Sequence, residues 1–225
     1  MDSAYVKESH KRALKENKER FLHGKLVYIQ DPLPDDVNLD YVIDYIQKRI
    51  PLRLMYSVDS VYIGNFDFLN EKDVNALYLD GAIYVSNEQS SEEDMIDDII
   101  HEMAHSVEDY MGEKIYLDGD IEKEFLGKRK RLCDLLVAEG YKLSPVLCFD
   151  TEYNEEFDKF LYQTVGYETL TSIAMGLFYS PYAITSLREY FANGFEHYFI
   201  GDRKYLKNIS PMLYNKITNI VNNYD

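Results

Sequence analysis

The spacing of apolar residues changes part of the way along the chain, and this change restricts the folds open to it. In the first part, Lys25–Gln30 and Ser60–Ile63 have the length and the β-branched and aromatic content of strands. Ala76–Leu79 and Ala82–Ser86 flank an Asp-Gly pair, which predicts a hairpin. Beyond Asn87, apolar residues recur every three or four positions over long segments. Strands followed by helices predict an α+β fold, in which a small mixed β-sheet precedes a mainly helical C-terminal part.

Helical spacing first occurs at Asn38–Ile50 and then fills most of the chain beyond Asn87. The helices predicted in that later part are residues 92–111, 119–140, 153–163, 167–178, 185–199 and 211–223. The opening segment Ala4–Arg20 lacks Gly and Pro and is rich in Lys, Glu and Ala, which favours an exposed helix. We therefore divide the chain into a charged N-terminal helical extension at residues 1–24 and one domain at residues 25–225.

The charge of the chain restricts its partners. It has 40 acidic and 24 basic side chains, so its formal net charge is -16. Proteins that follow the phosphate backbone of a nucleic acid need a basic surface to release counterions. We therefore expect no nucleic-acid partner, and a cationic region of a peptide suits the charge better.

The sequence also bears on the compartment. No apolar run approaches the roughly 20 residues that a membrane-spanning helix needs, and Met1–Arg20 is densely charged without an apolar signal core. The two cysteines, Cys133 and Cys148, could pair in principle, but two are too few for a disulfide framework, so we expect them to be reduced. These features predict a cytoplasmic protein without a membrane partner, although a mature secreted chain would look the same.

The segment His101-Glu102-Met103-Ala104-His105 is the motif most specific for a chemistry. On a helix, residues four apart lie roughly 40° apart around the axis and one turn along it. The imidazoles of His101 and His105 can therefore bind one metal ion, and Zn²⁺ is the ion this motif typically holds. The Glu102 carboxylate follows the first ligand and would lie near the attacking water without binding the metal, which suits a general base.

The residues around the motif predict that it lies on an amphipathic helix. Ser90 and Ser91 can cap the start of this helix, and Gly112 stands where it is expected to end. The apolar stripe at helical spacing consists of Ile96, Ile99, Ile100, Met103, Val107 and Tyr110. The alternative is a chance pattern, in which two surface histidines flank a solvated glutamate. The stripe argues against it, because it places the motif on a helix that packs against a core.

Two histidines alone do not make a catalytic zinc site, which usually has three protein ligands and one open position. No histidine follows His105 in the short window where some such enzymes have their third histidine. The remaining histidines are His10, His23 and His197. His197 can approach the site, but a surface or core histidine is the plainer interpretation. We therefore expect a carboxylate as the third ligand.

The segment Ile100–Gly112 resembles the zinc-binding helix of the anthrax lethal factor catalytic domain and its relatives, including the clostridial Pro-Pro endopeptidases. A second block, Glu189–Phe195, resembles the helix that supplies the glutamate ligand in that family, and Tyr182 matches the family's active-site tyrosine. The resemblance implies a zincin-like fold and a zinc peptidase. It implies that zinc is bound by His101, His105 and Glu189, with Glu102 as general base and Tyr182 as hydrogen-bond donor to the developing oxyanion.

The chain departs from that family between the two blocks. The segment at residues 145–179 has the character of an insertion that adds two helices, so the family's substrates are not carried over. Glu189 also has a competing role, because Ser186-Leu-Arg-Glu189 has the form of a capping box.

Other residues are expected to support the site. The strand residues Ala82, Ile83, Tyr84 and Val85 precede the metal helix, at the place where zincins offer a sheet edge to an extended substrate. The alternative is an ordinary strand. Glu108, Asp109 and Glu196 are candidates to orient the ligand imidazoles, but a solvated helix face is the preferred interpretation for each. The basic run Lys128–Arg131 is interpreted as a solvated helix face.

The sequence therefore predicts a zinc-dependent endopeptidase acting on a peptide or protein substrate. One alternative is a catalytically inactive zincin-like module that serves binding or a place in a larger assembly. A second is a metal-dependent hydrolase with a substrate other than a peptide. An intact set of base, ligands and tyrosine favours the peptidase, because a scaffold need not keep Glu102 or Tyr182. The sequence does not define the oligomeric state.

Overall fold

The computed structural model describes residues 18–222, and the chain divides into two compact units after Ser106. Most of the helix predicted at Ala4–Arg20 lies outside the described residues. Its last two residues do not form a helix, because Glu19–Leu22 is a β-strand. The helical extension predicted for residues 1–24 therefore does not reach its expected end.

The first unit contains a five-stranded mixed sheet. Its strands are β1 (Glu19–Leu22), β2 (Lys25–Ile29), β3 (Ser60–Gly64), β4 (Ala76–Leu79) and β5 (Ala82–Ser86). Their order in the sheet is β1-β2-β3-β5-β4, where β2, β3 and β5 are parallel and the outer strands β1 and β4 are antiparallel to their neighbours. The small mixed sheet and the α+β class predicted from the sequence are confirmed.

The two faces of the sheet differ in polarity. One face is largely buried, as the alternation of side chains along a strand requires; its fully buried residues include Val27, Val61, Ile63, Ile83 and Val85. The opposite face has a row of half-buried tyrosines that are register partners. These are Tyr28, Tyr62 and Tyr84, whose ring centroids lie 6.4 and 5.3 Å apart along the row.

Helix α1 (Leu39–Arg49) follows β2, and a short helix α2 (Asp67–Lys72) follows β3. Helix α1 begins as predicted, because the side chain of Asn38 accepts a hydrogen bond from the Tyr41 N–H. Helix α2 was not predicted, since six residues are too few to display a helical period. A 3₁₀ turn at Leu52–Met55 was missed for the same reason.

Helix α3 (Glu92–Tyr116) carries the metal motif, and the boundary between the two units falls within it. The Ser91 side chain accepts a hydrogen bond from the Asp94 N–H at 3.1 Å, so the predicted cap is confirmed. The predicted end at Gly112 is wrong, because the helix continues to Tyr116. A glycine inside a helix costs only about 1 kcal/mol, and the buried residues Met111 and Ile115 on either side of it stabilise the additional turn.

The second unit is helical. Its α-helices are α4 (Asp120–Ala138), α5 (Glu155–Lys159), α6 (Tyr167–Ala174), α7 (Leu187–Ile200), α8 (Arg203–Ile209) and α9 (Pro211–Asn222). Two 3₁₀ turns lie at Pro145–Phe149 and Tyr182–Ile184, and a π-helical turn at Phe160–Val165 continues α5. The mainly helical C-terminal part is thus confirmed, and only the short α8 and the turns were not predicted.

Helices α7 and α9 approach closely at a glycine. A Cβ atom placed on Gly194 would lie 2.3 Å from Leu213 Cδ2, a distance that no side chain tolerates. Gly194 therefore permits this contact, which holds α9 against the helix that carries Glu189.

A polar network joins α4, α7 and the start of α9. Lys128 Nζ donates to the Tyr190 hydroxyl at 2.8 Å and also to Ser210 Oγ. The Tyr190 hydroxyl donates to Glu124 Oε1 at 2.8 Å, and the Glu124 carboxylate accepts the backbone N–H groups of Met212 and Leu213. Glu124 therefore caps the first turn of α9, where a negative charge is favourable.

The basic run Lys128–Arg131 is accordingly not a solvated face throughout. Arg129 is fully buried, donates to the Asp150 carbonyl and lies 4.2 Å from the centre of the Phe157 ring. Lys130 does match the prediction, because it is exposed and pairs with Asp134 one turn away. The helical period places Lys128 and Arg129 on the inner side of α4. The Nε and Nη2 atoms of Arg129 are buried without a hydrogen-bond partner among the described residues, so the Asp150 carbonyl satisfies only part of its guanidinium group.

Cys133 and Cys148 form a disulfide, so the expectation of reduced thiols is wrong. Helix α4 and the 3₁₀ turn at Pro145–Phe149 bring the two residues together, and both are buried. Arg129 lies one turn before Cys133 and bonds the Asp150 carbonyl, so two contacts fasten the same segment to α4.

Among the helices described for residues 18–222, none combines the length and the apolar character needed to cross a membrane.

The buried position of Lys128 predicts a pH-dependent stability. Burial lowers the pKa of Lys128 to about 8, and a nearby Glu124 charge only partly opposes this effect. Between pH 8 and the unfolded-state value near 10.4, the unfolded chain binds more protons than the folded chain, so stability must rise with pH. Chemical denaturation should show wild type gaining about 1.5 kcal/mol relative to Lys128→Met between pH 8 and pH 9.5. Parallel pH profiles for the two proteins would contradict a lowered pKa.

Candidate metal centre

His101, Glu102 and His105 lie together on helix α3. One potential ligand atom from each side chain lies within 4.8 Å of the others, and the two imidazole ring centroids are 5.1 Å apart. Within the described residues, this is the one set of three His, Cys, Asp or Glu side chains that comes together in this way. The buried stripe on α3 holds the helix in place and leaves both imidazoles half-buried.

The two imidazoles could hold a metal ion. Nitrogen ligands bind Zn²⁺ at roughly 2.0–2.1 Å, so two nitrogens on one ion lie roughly 3–3.5 Å apart. The ligand-capable nitrogens of the two imidazoles lie within 4.8 Å of each other, and neutral imidazole is a preferred zinc ligand. The predicted pair of ligands is therefore brought together by the helix as expected.

Glu102 is buried, with 7% of its surface exposed. Its Oε2 accepts a hydrogen bond from the backbone N–H of Tyr78 in β4 at 2.6 Å. A buried carboxylate needs such a donor, because losing its hydration without replacement is costly. The predicted base is thus held by the sheet of its own unit. In the sequence it lies between the two histidines, directly after His101.

Asp98 is an acidic neighbour of the motif that sequence reasoning missed. It lies one helical turn before His101 and accepts a hydrogen bond from Gln89 Nε2 at 3.2 Å. Burial raises the pKa of Asp98 to about 6; the Gln89 hydrogen bond opposes this shift, and the charge of Glu102 adds to it. The sequence could have indicated Asp98, because it lies three residues before His101 and residues at that spacing share a helix face.

The three carboxylates proposed to orient the imidazoles have different environments. Glu108 is buried and accepts a hydrogen bond from the Tyr116 hydroxyl, and its Oε2 lies 3.4 Å from Arg188 Nε. Burial, with the adjacent Glu108 charge, raises the pKa of Tyr116 far above its ordinary value. Asp109 is exposed, which agrees with its interpretation as part of a solvated helix face. Glu196 is buried, so a solvated helix face is wrong for Glu108 and Glu196.

His197 packs within the second unit. Its ring stacks on Tyr179 with the centroids 3.5 Å apart, and its Nε2 lies 3.5 Å from Glu196 Oε1. The Tyr179 hydroxyl also accepts the Asp202 N–H at 3.0 Å. These contacts describe a packed histidine that ties the end of α7 to the segment before Tyr182.

Glu189 and Tyr182 also lie in the second unit. Ser186 Oγ accepts the Glu189 N–H at 3.1 Å, which is the first half of the predicted capping box. The Glu189 residue is half-buried in the first turn of α7. Tyr182 lies on the 3₁₀ turn before α7 and is 51% exposed, so its side chain is accessible from solvent.

The strand predicted to bind substrate is not an edge. Ala82, Ile83, Tyr84 and Val85 of β5 pair with β3 on one side and with β4 on the other, so their main chain has no side open to a substrate strand. The prediction is wrong because the hairpin pattern established only that β4 and β5 pair. It did not define which of them pairs with β3. The outer strand at this side of the sheet is β4.

Comparison with known proteins finds no matching family model, no matching curated protein and no matching solved structure. The interpretation of the metal centre therefore depends on its residues and their geometry.

Proposed function

We propose that this protein is a zinc-dependent endopeptidase. The observation that carries the proposal is the arrangement of His101, Glu102 and His105, whose ligand-capable atoms lie within 4.8 Å of one another on a helix with a buried stripe. Two imidazoles four residues apart with a glutamate after the first is the pattern of metal-dependent peptidases. The burial of Glu102 also supports the proposal, because a chance pattern would leave this glutamate solvated at the surface.

The proposed zinc ligands are His101, His105 and Glu189. Glu189 comes from the resemblance of Glu189–Phe195 to the glutamate-bearing helix of lethal factor relatives, and two imidazoles with one carboxylate form a common catalytic ligand set. When bound, zinc would polarise the peptide carbonyl and lower the pKa of the attacking water. The residues of the chain would then supply the proton transfers and the orientation.

Glu102 is proposed to accept a proton from the attacking water and to donate it to the nitrogen of the leaving amine. Glu102 is buried and lies beside the two imidazoles that would hold the zinc. This position suits the role, since a general base must lie within hydrogen-bond reach of the proton it removes. Tyr182 is proposed to donate a hydrogen bond to the carbonyl oxygen as negative charge develops on it. Water attack forms no covalent bond between substrate and enzyme.

The substrate main chain is proposed to pair with β4 in place of β5, through outward backbone groups of β4 other than the Tyr78 N–H, which is bonded to Glu102. Strand β4 is the outer strand, and its residue Tyr78 contacts the general base directly. An extended peptide alongside β4 would therefore lie close to Glu102, and main-chain pairing of this kind aligns a peptide independently of its sequence. The net charge of -16 favours substrates with cationic segments near the cleavage site.

The central test compares wild type with Glu102→Gln on a diverse peptide library while bound zinc is measured. Loss of the general base should reduce cleavage by roughly 10²–10⁴-fold with the zinc content unchanged. Glu113→Gln is a matched control, because Glu113 is exposed on the same helix, and it should cleave like wild type. A wild-type protein that holds zinc and cleaves no peptide would instead indicate the binding module.

The third ligand is tested by Glu189→Gln. Glutamine can still complete a capping box but is a poor zinc ligand, so zinc affinity in competition with a chelator should fall at least about tenfold while the melting temperature changes little. Ser186→Ala is the complementary variant. It removes the observed cap of α7 and should lower stability by about 1 kcal/mol without loss of zinc. Unchanged zinc affinity in Glu189→Gln would eliminate Glu189 as a ligand.

Tyr182→Phe should lower kcat by about 10²-fold, the scale of losing one donor to a developing oxyanion, with bound zinc unchanged. Tyr162→Phe is the control, because Tyr162 is also an exposed tyrosine of the second unit. Steady-state kinetics on one cleaved peptide measures both variants. Equal kcat values for wild type and Tyr182→Phe would remove the proposed role.

A further inference from the structure

The hydrogen bond between strand β4 and Glu102 bears on how the carboxylate of the proposed general base is oriented. In an antiparallel pair, successive residues of one strand alternately face the partner strand and point away from it. The Ser86 N–H donates to the Asn75 carbonyl at 2.7 Å, so the alternation places the backbone bonds to β5 at Leu77 and Leu79. The N–H of Tyr78 therefore points away from β5, at the outer edge of the sheet.

An outward N–H at the edge of a sheet ordinarily bonds water or an added strand. Here the Tyr78 N–H donates instead to Glu102 Oε2 at 2.6 Å, at the short end of the distances for hydrogen bonds to a charged acceptor. The acceptor is 7% exposed. The bond thus connects the rigid backbone of a strand to the buried side chain that follows the first histidine.

We infer that the Tyr78 amide is a positioning group for Glu102, an inference that rests on the proposed peptidase function. A glutamate side chain has three rotatable bonds, and a base that must reach one water gains from having one oxygen fixed. A backbone donor does this with little freedom of its own, because β4 is held by its ladder with β5. The second carboxylate oxygen then remains for the proton of the water. In this role the Tyr78 N–H bonds Glu102 and does not touch the substrate.

The bond itself is tested by amide hydrogen exchange, which needs neither zinc nor activity. The Tyr78 amide of wild type should be protected. In Glu102→Ala it should exchange at least about tenfold faster, because the acceptor is gone. In Glu102→Gln the amide oxygen can still accept, so protection should stay within about threefold of wild type. An unprotected Tyr78 amide in wild type, or equal protection in Glu102→Ala, would overturn the inference.

The positioning role is tested by replacing the Tyr78 residue with its α-hydroxy acid analogue, which turns the Leu77–Tyr78 amide into an ester and removes this N–H. Because the N–H points away from β5, the ladder loses no donor, while the Leu77 carbonyl becomes a weaker acceptor towards β5. We expect kcat to fall roughly tenfold with KM and zinc affinity unchanged. Tyr78→Phe, which loses the hydroxyl contact to the Ser57 carbonyl and keeps the N–H, should retain wild-type kcat.

An unchanged kcat in the ester protein, or a parallel loss of kcat and zinc affinity, would reject the positioning role. These outcomes are distinct from failure of the proposed function. If wild type cleaves no peptide, the function is wrong, while the exchange experiment still decides whether Tyr78 holds Glu102.

Discussion

The buried stripe on helix α3 is the constraint on which the metal centre depends. Ile99, Ile100 and Met103 are almost completely buried, so the helix cannot rotate about its axis without exposing apolar surface. That rotation angle decides where the side chains at His101, Glu102 and His105 point. The helix brings the two imidazoles together through their four-residue spacing, and packing of the stripe sets the direction in which the pair points.

The sheet contributes the second element of the centre. The strand order puts β4 at one side of the sheet. Some backbone groups of β4 are therefore directed away from its one neighbour, β5. One of these groups bonds Glu102. The general base that we propose is therefore defined by two parts of the first unit, the first part of helix α3, which carries it, and strand β4, which holds its carboxylate. This connection explains why a charged side chain is retained in a buried position.

Charged residues in the second unit follow the same rule. Lys128 and Arg129 belong to a basic run that would be solvated on an isolated helix, yet each is enclosed and bonded to a named partner. Glu108 is likewise enclosed, between the Tyr116 hydroxyl and Arg188. Such groups are costly to bury without partners, and removing one partner leaves the other charge uncompensated. Their bonds, together with the Cys133–Cys148 disulfide, fasten the segments that precede and follow the helices.

The sequence by itself determined the class of fold, most helix and strand positions, and the adjacency of His101, Glu102 and His105. These properties depend on local periodicity, because the spacing of residues along a strand or a helix defines which side chains share a face. Only the tertiary structure decided that β5 is an inner strand and β4 an outer one, that Tyr78 bonds Glu102, and that Cys133 pairs with Cys148. Each of these contacts joins residues that are distant along the chain or depends on strand order. Periodicity records whether a residue is buried, but it does not record which residue buries it.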